Sequence, residues 1–339
     1  MRPTRPVREV PCTSGGSMPH RRTRPSGSSW PGAAPGFRLS RPGDRLAYAQ
    51  SMEDLDIYRV DPPGDAQPIA RSSVQDSLPH FSPDGRRMAY CSPRSNETFE
   101  VWIADLDGSP PTQLTHGPGD WQCSPSWSPD GTRIAFDSRA ADGSWHVWTV
   151  SPDGGPPRQI TTDSGSQFRP SWSRDGRWIY FVWVRDGDHD VWRTRGPSGT
   201  TERVTHGGSS VAAPRESTDG AGLWYQREEG DGPLLFQPLS GGSPRSVLSC
   251  VTGSHFSIGP GGIYYMPCAK TGEISRDVPV RVFNPASGDD RLFATLEDGG
   301  WPATGRQDGF LLVSPNGRTI LYSRLENREA DVMLIENFR

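Results

Sequence analysis

The stretch Trp127-Ser128-Pro129-Asp130-Gly131-Thr132 decides the fold of this chain, because near copies of it recur along the sequence. Clear copies read FSPDGR at residues 81–86 and WSRDGR at residues 172–177. Weaker copies contain four further turn serines, namely Ser40, Ser217, Ser257 and Ser314. The intervals between successive serines are 42, 46, 45, 44, 40 and 57 residues. A period in the forties built from strands and turns predicts the blades of a β-propeller.

Each repeat predicts four short strands that alternate apolar and polar residues. In the third repeat they cover residues 125–128, 133–138, 146–150 and 158–161. Proline presets φ at the second turn position, and Asp and Gly tolerate the conformations that follow. The same reasoning predicts that the repeated aspartates form turns rather than calcium sites, and that the aromatic residues before the turn serines pack between blades. The sequence therefore predicts an all-β fold, a seven-bladed β-propeller of four-stranded antiparallel blades.

Two parts of the chain differ in texture. Residues 1–36 are rich in Arg, Pro, Ser and Gly, and we expect them to be disordered because they can bury little apolar surface. Residues 37–339 hold the repeats and are expected to form the β-propeller, with a loop insertion at 269–277. The seventh repeat stops after its third strand, so ring closure would need a strand from the other end, and residues 7–10 are the upstream candidate.

Composition limits the classes of function. The net charge of -4 and the pI near 6.0 argue against nucleic-acid binding. No apolar run reaches the ~18 residues of a spanning helix, and no apolar stretch follows Arg21-Arg22, so neither membrane insertion nor a signal peptide is predicted in this chain. Five cysteines without CxxC spacing disfavour a zinc site. We expect Cys91 to be a buried inert thiol, and no disulfide pairing is assigned.

The motifs at residues 127–136, 147–150 and 158–161 resemble the WD40-like repeats of the TolB-type β-propeller family of bacteria. The resemblance covers residues 37–339. It implies a propeller that binds partners, as the sensory or interaction module of a larger bacterial regulator or envelope protein, and a location in the periplasm or cell envelope. The chain lacks the N-terminal α/β domain of TolB itself, so a role in the Tol–Pal system is not implied.

One position of the innermost strand varies between repeats and is the candidate binding site. His80 and His255 each lie two residues before a turn serine, and the equivalent residues in other repeats include Arg38, Ser126, Ser171 and Arg215. We expect these six residues to line a polar pocket at the central channel. A mixed Arg and His lining favours an anionic or carboxylate-bearing ligand, or the end of a peptide.

Two enzymatic alternatives remain open. Oligogalacturonate lyases resemble this fold and hold a metal with several histidines near the channel, but this sequence offers two histidines there and a catalytic metal usually needs three ligands. The second alternative is a prolyl-oligopeptidase-type peptidase. Because the G-x-S-x-G nucleophile motif is missing, this chain could be only the detached propeller of such an enzyme. We predict instead a monomeric, non-enzymatic scaffold that binds a protein partner or small anionic ligand at a propeller face, with no catalytic residues, metal or cofactor.

Overall fold

The computed structural model of this chain describes residues 37–39, 45–95, 98–197, 199–206, 212–227, 230–268, 277–297 and 311–336. The regular elements of these residues are β-strands in antiparallel pairs, which confirms the all-β prediction. None of the described segments forms a helix long and apolar enough to cross a lipid bilayer. Residues 1–36, predicted to be disordered, and nearly all of the predicted insertion at 269–277 lie outside these residues.

The strands of the first half of the chain are β1 (Phe37–Leu39), β2 (Arg45–Val60), β3 (Gln67–Ala70), β4 (Ser77–Phe81), β5 (Arg87–Ser92), β6 (Glu100–Asp105), β7 (Thr112–Gln113), β8 (Trp121–Trp127), β9 (Ile134–Arg139), β10 (Trp145–Val150), β11 (Arg158–Gln159) and β12 (Ser166–Trp172). Those of the second half are β13 (Ile179–Arg185), β14 (Asp188–Thr194), β15 (Thr201–Arg203), β16 (Ala212–Glu216), β17 (Gly222–Gln226), β18 (Gly232–Pro238), β19 (Arg245–Gly259), β20 (Gly262–Pro267), β21 (Asp277–Phe283), β22 (Asp290–Glu297), β23 (Leu311–Val313) and β24 (Ile320–Glu336).

Three groups of four strands form separate antiparallel sheets in which each strand pairs with the next one along the chain. These are β4–β7, β8–β11 and β12–β15, which we call units one, two and three. A seven-stranded sheet, β16–β22, contains units four and five. The long strand β19 belongs to both, because residues 245–251 pair with β18 and residues 256–259 pair with β20.

The sixth unit combines both ends of the described chain, and we call it the closing unit. Its strand order is β23, β24, β2, β3, with residues 320–328 of β24 paired to residues 53–60 of β2. The first strands of the units contact one another in the order β4, β8, β12, β16, β19 and β23, and β23 contacts β4. The described strands therefore close into a ring of six units.

The predicted count of seven blades is not confirmed. The sequence predicts separate second and third strands in the repeats at Ser40 and Ser314. In the structure, each of these pairs of predicted strands is one continuous strand, β2 in the first repeat and β24 in the last. Their outer halves pair with each other, and β1 adds one strand to that extension. The two end repeats therefore share one unit, because β2 and β3 supply the strands that follow β24. The closing strand suggested at residues 7–10 lies outside the described residues.

The recurring turn joins the first and second strands of a unit. In unit two, Ser128 Oγ donates to Asp130 Oδ1 at 2.6 Å, and the backbone N–H of Arg133 donates to Ser128 Oγ at 2.9 Å. Gly131 follows with a φ of +72°, which glycine adopts without steric cost. The equivalent Ser–Asp hydrogen bond forms at Asp84, Asp175 and Asp219, which confirms the turn role predicted for these aspartates.

Apolar side chains fill the spaces between neighbouring units. Trp127 packs with residues of units one and two that are fully buried, namely Ala89, Val101, Ile134 and Phe136. The prediction that the aromatic residue before the turn serine packs between blades is confirmed at this position. A similar cluster joins the closing unit to unit one through Ile57, Met88, Tyr90 and Leu321.

Two disulfides cross-link the strands. Cys91 in β5 of unit one bonds to Cys123 in β8 of unit two, and Cys250 in β19 bonds to Cys268 just after β20. The prediction that Cys91 is a free inert thiol is therefore wrong. The pairing brings together cysteines from two different repeats, 32 residues apart, and so follows from the contact between units rather than from local sequence.

Candidate functional site

A β-bulge recurs in the first strands of the units, which surround the centre of the ring. The pairing register shifts just before His80 in β4, and at equivalent places in β8, β12 and β16. In three of these bulges one residue has a φ between +50° and +55°, namely Leu78, Ser124 and Arg169. Non-glycine residues rarely adopt this conformation, and a bulge re-aims the side chains beside it. The bulge therefore sets the direction of the candidate residue two positions later.

Four of the six predicted residues line one central cavity: His80, Ser126, Ser171 and Arg215. The cavity has a volume of about 520 Å³, and we call it the vestibule. Its wall consists largely of aromatic rings and of prolines from the recurring turns, namely Phe81, Pro83, Trp127, Pro129, Trp172, Pro260 and Pro315. The four predicted residues lie at its inner end, which we call the floor.

Beyond the floor the channel narrows to a throat. This space of about 30 Å³ shares His80 and Arg215 with the vestibule and is lined further by the bulge residues and the prolines that follow them. One of these bulge residues, Arg169, was missed by the sequence reasoning. A signal for it existed, because Arg169 precedes Pro170 as Leu78 precedes Pro79. A residue before such a proline marks the bulge, since proline lacks the N–H that a regular ladder needs.

The other two predicted residues lie elsewhere. His255 is 1% exposed, with its Nδ1 2.7 Å from the carbonyl oxygen of Thr252, and Ser257 lines the vestibule in its place. Arg38 lies in β1, at the edge of the extension formed by β2 and β24, and not in the first strand of a unit. Alignment on the turn serines cannot detect the longer bulge in β19 or the merging of the two end repeats.

Arg215 is the main charge on the floor. It is partly buried, and it borders both the vestibule and the throat. Burial, together with the nearby charge of Arg169, lowers the pKa of Arg215 to about 10, so the guanidinium stays charged at neutral pH. Its Nη1 donates to the carbonyl oxygen of Pro214 at 3.1 Å. Within the described part of the chain, no carboxylate forms an ion pair with Arg215.

His80 is the second polar group on the floor. Burial, and then the charge of Arg215, lower the pKa of His80 to about 4, so its imidazole is neutral at pH 7. Its Nδ1 lies 3.1 Å from the carbonyl oxygen of Phe81 and 3.3 Å from the backbone nitrogen of Trp127. Because backbone groups engage Nδ1, Nε2 is the ring nitrogen left for the cavity.

Three other polar residues of the cavity, Ser171, Arg174 and Glu216, are already engaged with the protein. Ser171 Oγ donates to the carbonyl oxygen of Pro214 at 2.7 Å, which ties unit three to unit four. At the vestibule wall, the backbone N–H of Arg174 donates to Glu216 Oε2 at 2.8 Å, and the Arg174 guanidinium donates to the carbonyl oxygen of Thr218. Among the described residues, no group of three or more His, Cys, Asp or Glu is placed to hold a metal ion. The arrangement is a cationic floor beneath a largely apolar wall.

Two curated proteins are similar to parts of this chain. The uncharacterized protein Atu1656 of Agrobacterium fabrum is 29% identical over 189 residues, which are 56% of this chain and 47% of that protein. A protein of Streptomyces coelicolor named as a tricorn protease homolog is 39% identical over 77 residues, 23% of this chain and 6% of that protein. The matching part of the chain thus spans about half of the first relative and a small part of the second.

Several solved structures share the architecture at low sequence identity. A protein of Agrobacterium tumefaciens named as TolB has a TM-score of 0.63 at 20% identity, over 81% of this chain and 99% of that one. TolB of Acinetobacter baumannii has a TM-score of 0.54 at 18% identity, over 82% and 65%. An oligogalacturonate lyase in complex with manganese has a TM-score of 0.53 at 11% identity, over 87% and 96%. Identities this low show a common fold and no more.

The repeats themselves match a family model. The model of the TolB beta propeller domain matches residues 43–279, which include the first strands, bulges and turns that build most of the vestibule. The resemblance read from the recurring turn motif is thereby confirmed. The chain belongs to the TolB beta propeller domain family.

Proposed function

We propose that this chain is a non-enzymatic binding scaffold that takes an anionic ligand, or an anionic group of a protein partner, in the vestibule. The observation that carries the proposal is Arg215, a charged guanidinium at the floor beside Arg169 and without a carboxylate ion-paired to it among the described residues. Removing a guanidinium from water is costly, and a neighbouring like charge adds to that cost. A bound anion offsets both through charge-assisted hydrogen bonds.

The proposal assigns no catalytic step to the cavity. A nucleophile needs a free hydroxyl or thiol next to a general base. Ser171 Oγ instead donates to the Pro214 carbonyl, and His80 Nδ1 is engaged by the backbone. These contacts leave Ser171 and His80 unsuited to act as a nucleophile and its base, which supports binding rather than nucleophilic catalysis in the cavity.

We place the protein, as a monomer, in the periplasm or cell envelope. The two disulfides support this compartment, because disulfides persist where the environment is oxidising. The greater lengths of the two curated relatives support a propeller that serves as the interaction module of a larger protein.

Thermal unfolding in inorganic phosphate, against sodium chloride at equal ionic strength, tests the anion site. A ligand that binds the folded state raises the unfolding midpoint. We expect phosphate to raise the midpoint by a few degrees in the wild type and in Arg158→Gln, a matched control at an exposed arginine outside the vestibule, and to have no effect in Arg215→Gln. An equal rise in Arg215→Gln, or no rise in the wild type, would contradict the proposal.

A further inference from the structure

We infer that the occupant of the vestibule is the C-terminal end of a peptide chain, with its terminal carboxylate on Arg215 and its last side chains against the aromatic and proline wall. The inference rests on the proposed function. It adds the class of ligand, the orientation of the ligand and the mouth through which it enters.

The composition of the wall argues for a ligand with apolar groups. Rings of Phe81, Trp127 and Trp172 and four turn prolines line the vestibule. The charged side chains on the described wall, Arg174 and Glu216, belong to one hydrogen-bonded pair of residues and bring opposite charges. A small hydrophilic anion would leave this apolar surface unused, whereas an anion attached to apolar side chains gains from burying them.

The throat argues for the end of a chain rather than its middle. Its space of about 30 Å³ is enough for roughly one or two water molecules and not for a polypeptide backbone. Leu78 and three bulge prolines narrow the throat. These residues belong to strands β4, β8 and β12 and not to a movable loop. A peptide that enters from the turn side must therefore stop at the floor.

The charge of the floor selects which end of the chain stops there. Arg215 and Arg169 are close enough for the second to disfavour the charge of the first. A positively charged N-terminus would be repelled by Arg215, whereas a carboxylate would be attracted by it, because no carboxylate of the described residues is ion-paired to this guanidinium. The planar guanidinium fork matches a carboxylate with two parallel hydrogen bonds. Nε2 of His80 and the hydroxyl of Ser126 lie on the same floor and can complete the contacts.

The volume limits how much of the peptide is buried. A cavity of about 520 Å³ lies within the range of about 300–1,000 Å³ that is usual for small-molecule sites. It therefore accommodates the last few residues of a chain, while the remainder would lie outside, across the face that carries the turns.

Two pools of N-acetylated pentapeptides, randomised at their last three positions, test the inference. One pool carries a free C-terminal carboxylate and the other a C-terminal amide, and binding is followed by capture on the immobilised protein and mass spectrometry. We expect at least tenfold stronger capture of the free acids, with apolar residues enriched at the end. Arg215→Gln should abolish the difference between pools, and Arg158→Gln, which removes an exposed arginine outside the vestibule, should keep it.

A third variant guards against loss of folding in Arg215→Gln. Arg215→Lys keeps the charge and loses the planar fork, so we expect the preference for free acids to fall to a few-fold. Equal capture of both pools by the wild type, no capture of the acids, or an undiminished preference in Arg215→Lys would overturn the inference. If phosphate still stabilises the wild type through Arg215 in that case, the proposed anion site stands, and if it does not, both fail.

Discussion

Unit two and the closing unit have the same strand order, but the chain builds them in different ways. Unit two is one continuous stretch, residues 121–159, in which every strand pairs with its neighbour in sequence. The closing unit takes two strands from each end of the described chain. Unit two can therefore form from local contacts, whereas the closing unit must first bring distant segments together, which costs chain entropy. Closure of the ring therefore depends on the pairing of β2 with β24, which we call the seam and which the repeated motifs do not encode.

The largest expected effect comes from removing the partner of that seam. A chain that starts at Asp61 lacks β1 and β2, so β24 loses its neighbour over residues 320–336. We expect it to lose its cooperative unfolding transition in urea. A chain that starts at Gly36 should unfold within a few degrees of the full-length protein. Cooperative unfolding of the Asp61 chain would show that closure does not require β2.

Replacing one buried isoleucine in each region by alanine would compare how tightly the two regions are packed. Ile57 in the closing unit and Ile134 in unit two are both 0% exposed. We expect Ile57→Ala and Ile134→Ala each to lower the free energy of unfolding by about 3 kcal/mol, measured in urea, because each leaves a cavity in a packed cluster. If Ile57→Ala costs less than about 1 kcal/mol, the seam is packed more loosely than an ordinary unit.

The carboxylates of the two regions should respond to pH in opposite directions, and Asp56 of the closing unit is the first case. Burial, with a smaller contribution from the charges of Asp54, Asp76 and Glu326, raises the pKa of Asp56 from 3.8 to about 6, against a lowering hydrogen bond from the Ser72 backbone. The folded state therefore binds a proton between pH 4 and 6 that the unfolded state does not, and stability falls as the pH rises through this window. Asp56→Asn should be more stable than the wild type above pH 6, by about 1–3 kcal/mol, and equal to it below pH 4.

Asp130 of unit two is the matched carboxylate. Hydrogen bonds from Ser128 and Thr132 hold the pKa of this aspartate below its usual value of 3.8. Its contribution to stability is therefore complete above that value and is lost as the pH falls through the folded pKa. Asp130→Asn should be less stable than the wild type at pH 7, with a difference that shrinks below pH 4. Urea denaturation of both variants across pH 3–8 gives the signs, and two curves of the same sign would contradict the contrast.

The smallest expected effect concerns the turn glycines. Gly131 of unit two and Gly317 of the closing unit both have a φ of +72°. Alanine at either position should lower stability by about 1–2 kcal/mol because of the left-handed backbone. Gly317→Ala should cost slightly more, because its Cβ would lie 3.3 Å from Tyr264 Oη, whereas at Gly131 the nearest atom is 3.8 Å away. A larger loss for Gly131→Ala in thermal unfolding would reverse this ranking.

Sequence reasoning succeeded where one repeat determines its own contacts. The turn pair of Ser128 and Asp130, and the packing of Trp127 between units, follow from spacing within a repeat and its neighbour. The four floor residues could be found for the same reason, since each has a fixed distance to its turn serine. Their role as a binding site remains a prediction that the experiments above address.

Features that depend on two distant parts of the chain do not follow from the residues of a single repeat. The end repeats were counted as two blades because nothing in the residues around Ser40 or Ser314 shows that β2 pairs with β24. The Cys91–Cys123 bridge likewise depends on a contact between units. The bulge of β19 moves His255 away from the predicted floor. The backbone conformation of Arg169, and not its spacing, brings it to the throat, so the spacing of the repeats does not predict it.

The pairing of Arg45 with Glu336 places the start of β2 beside the end of β24, so the two ends of the closing unit's long strands lie next to each other. Propellers closed in this way are suited to circular permutation, since a short linker could join the ends and new ends could be opened in a loop of another unit. A domain fused to either of these ends would be tethered at the same place, and no described residue of β2 or β24 lines the vestibule or the throat. The residues that line the channel and a domain fused to the ends could therefore be changed independently of each other.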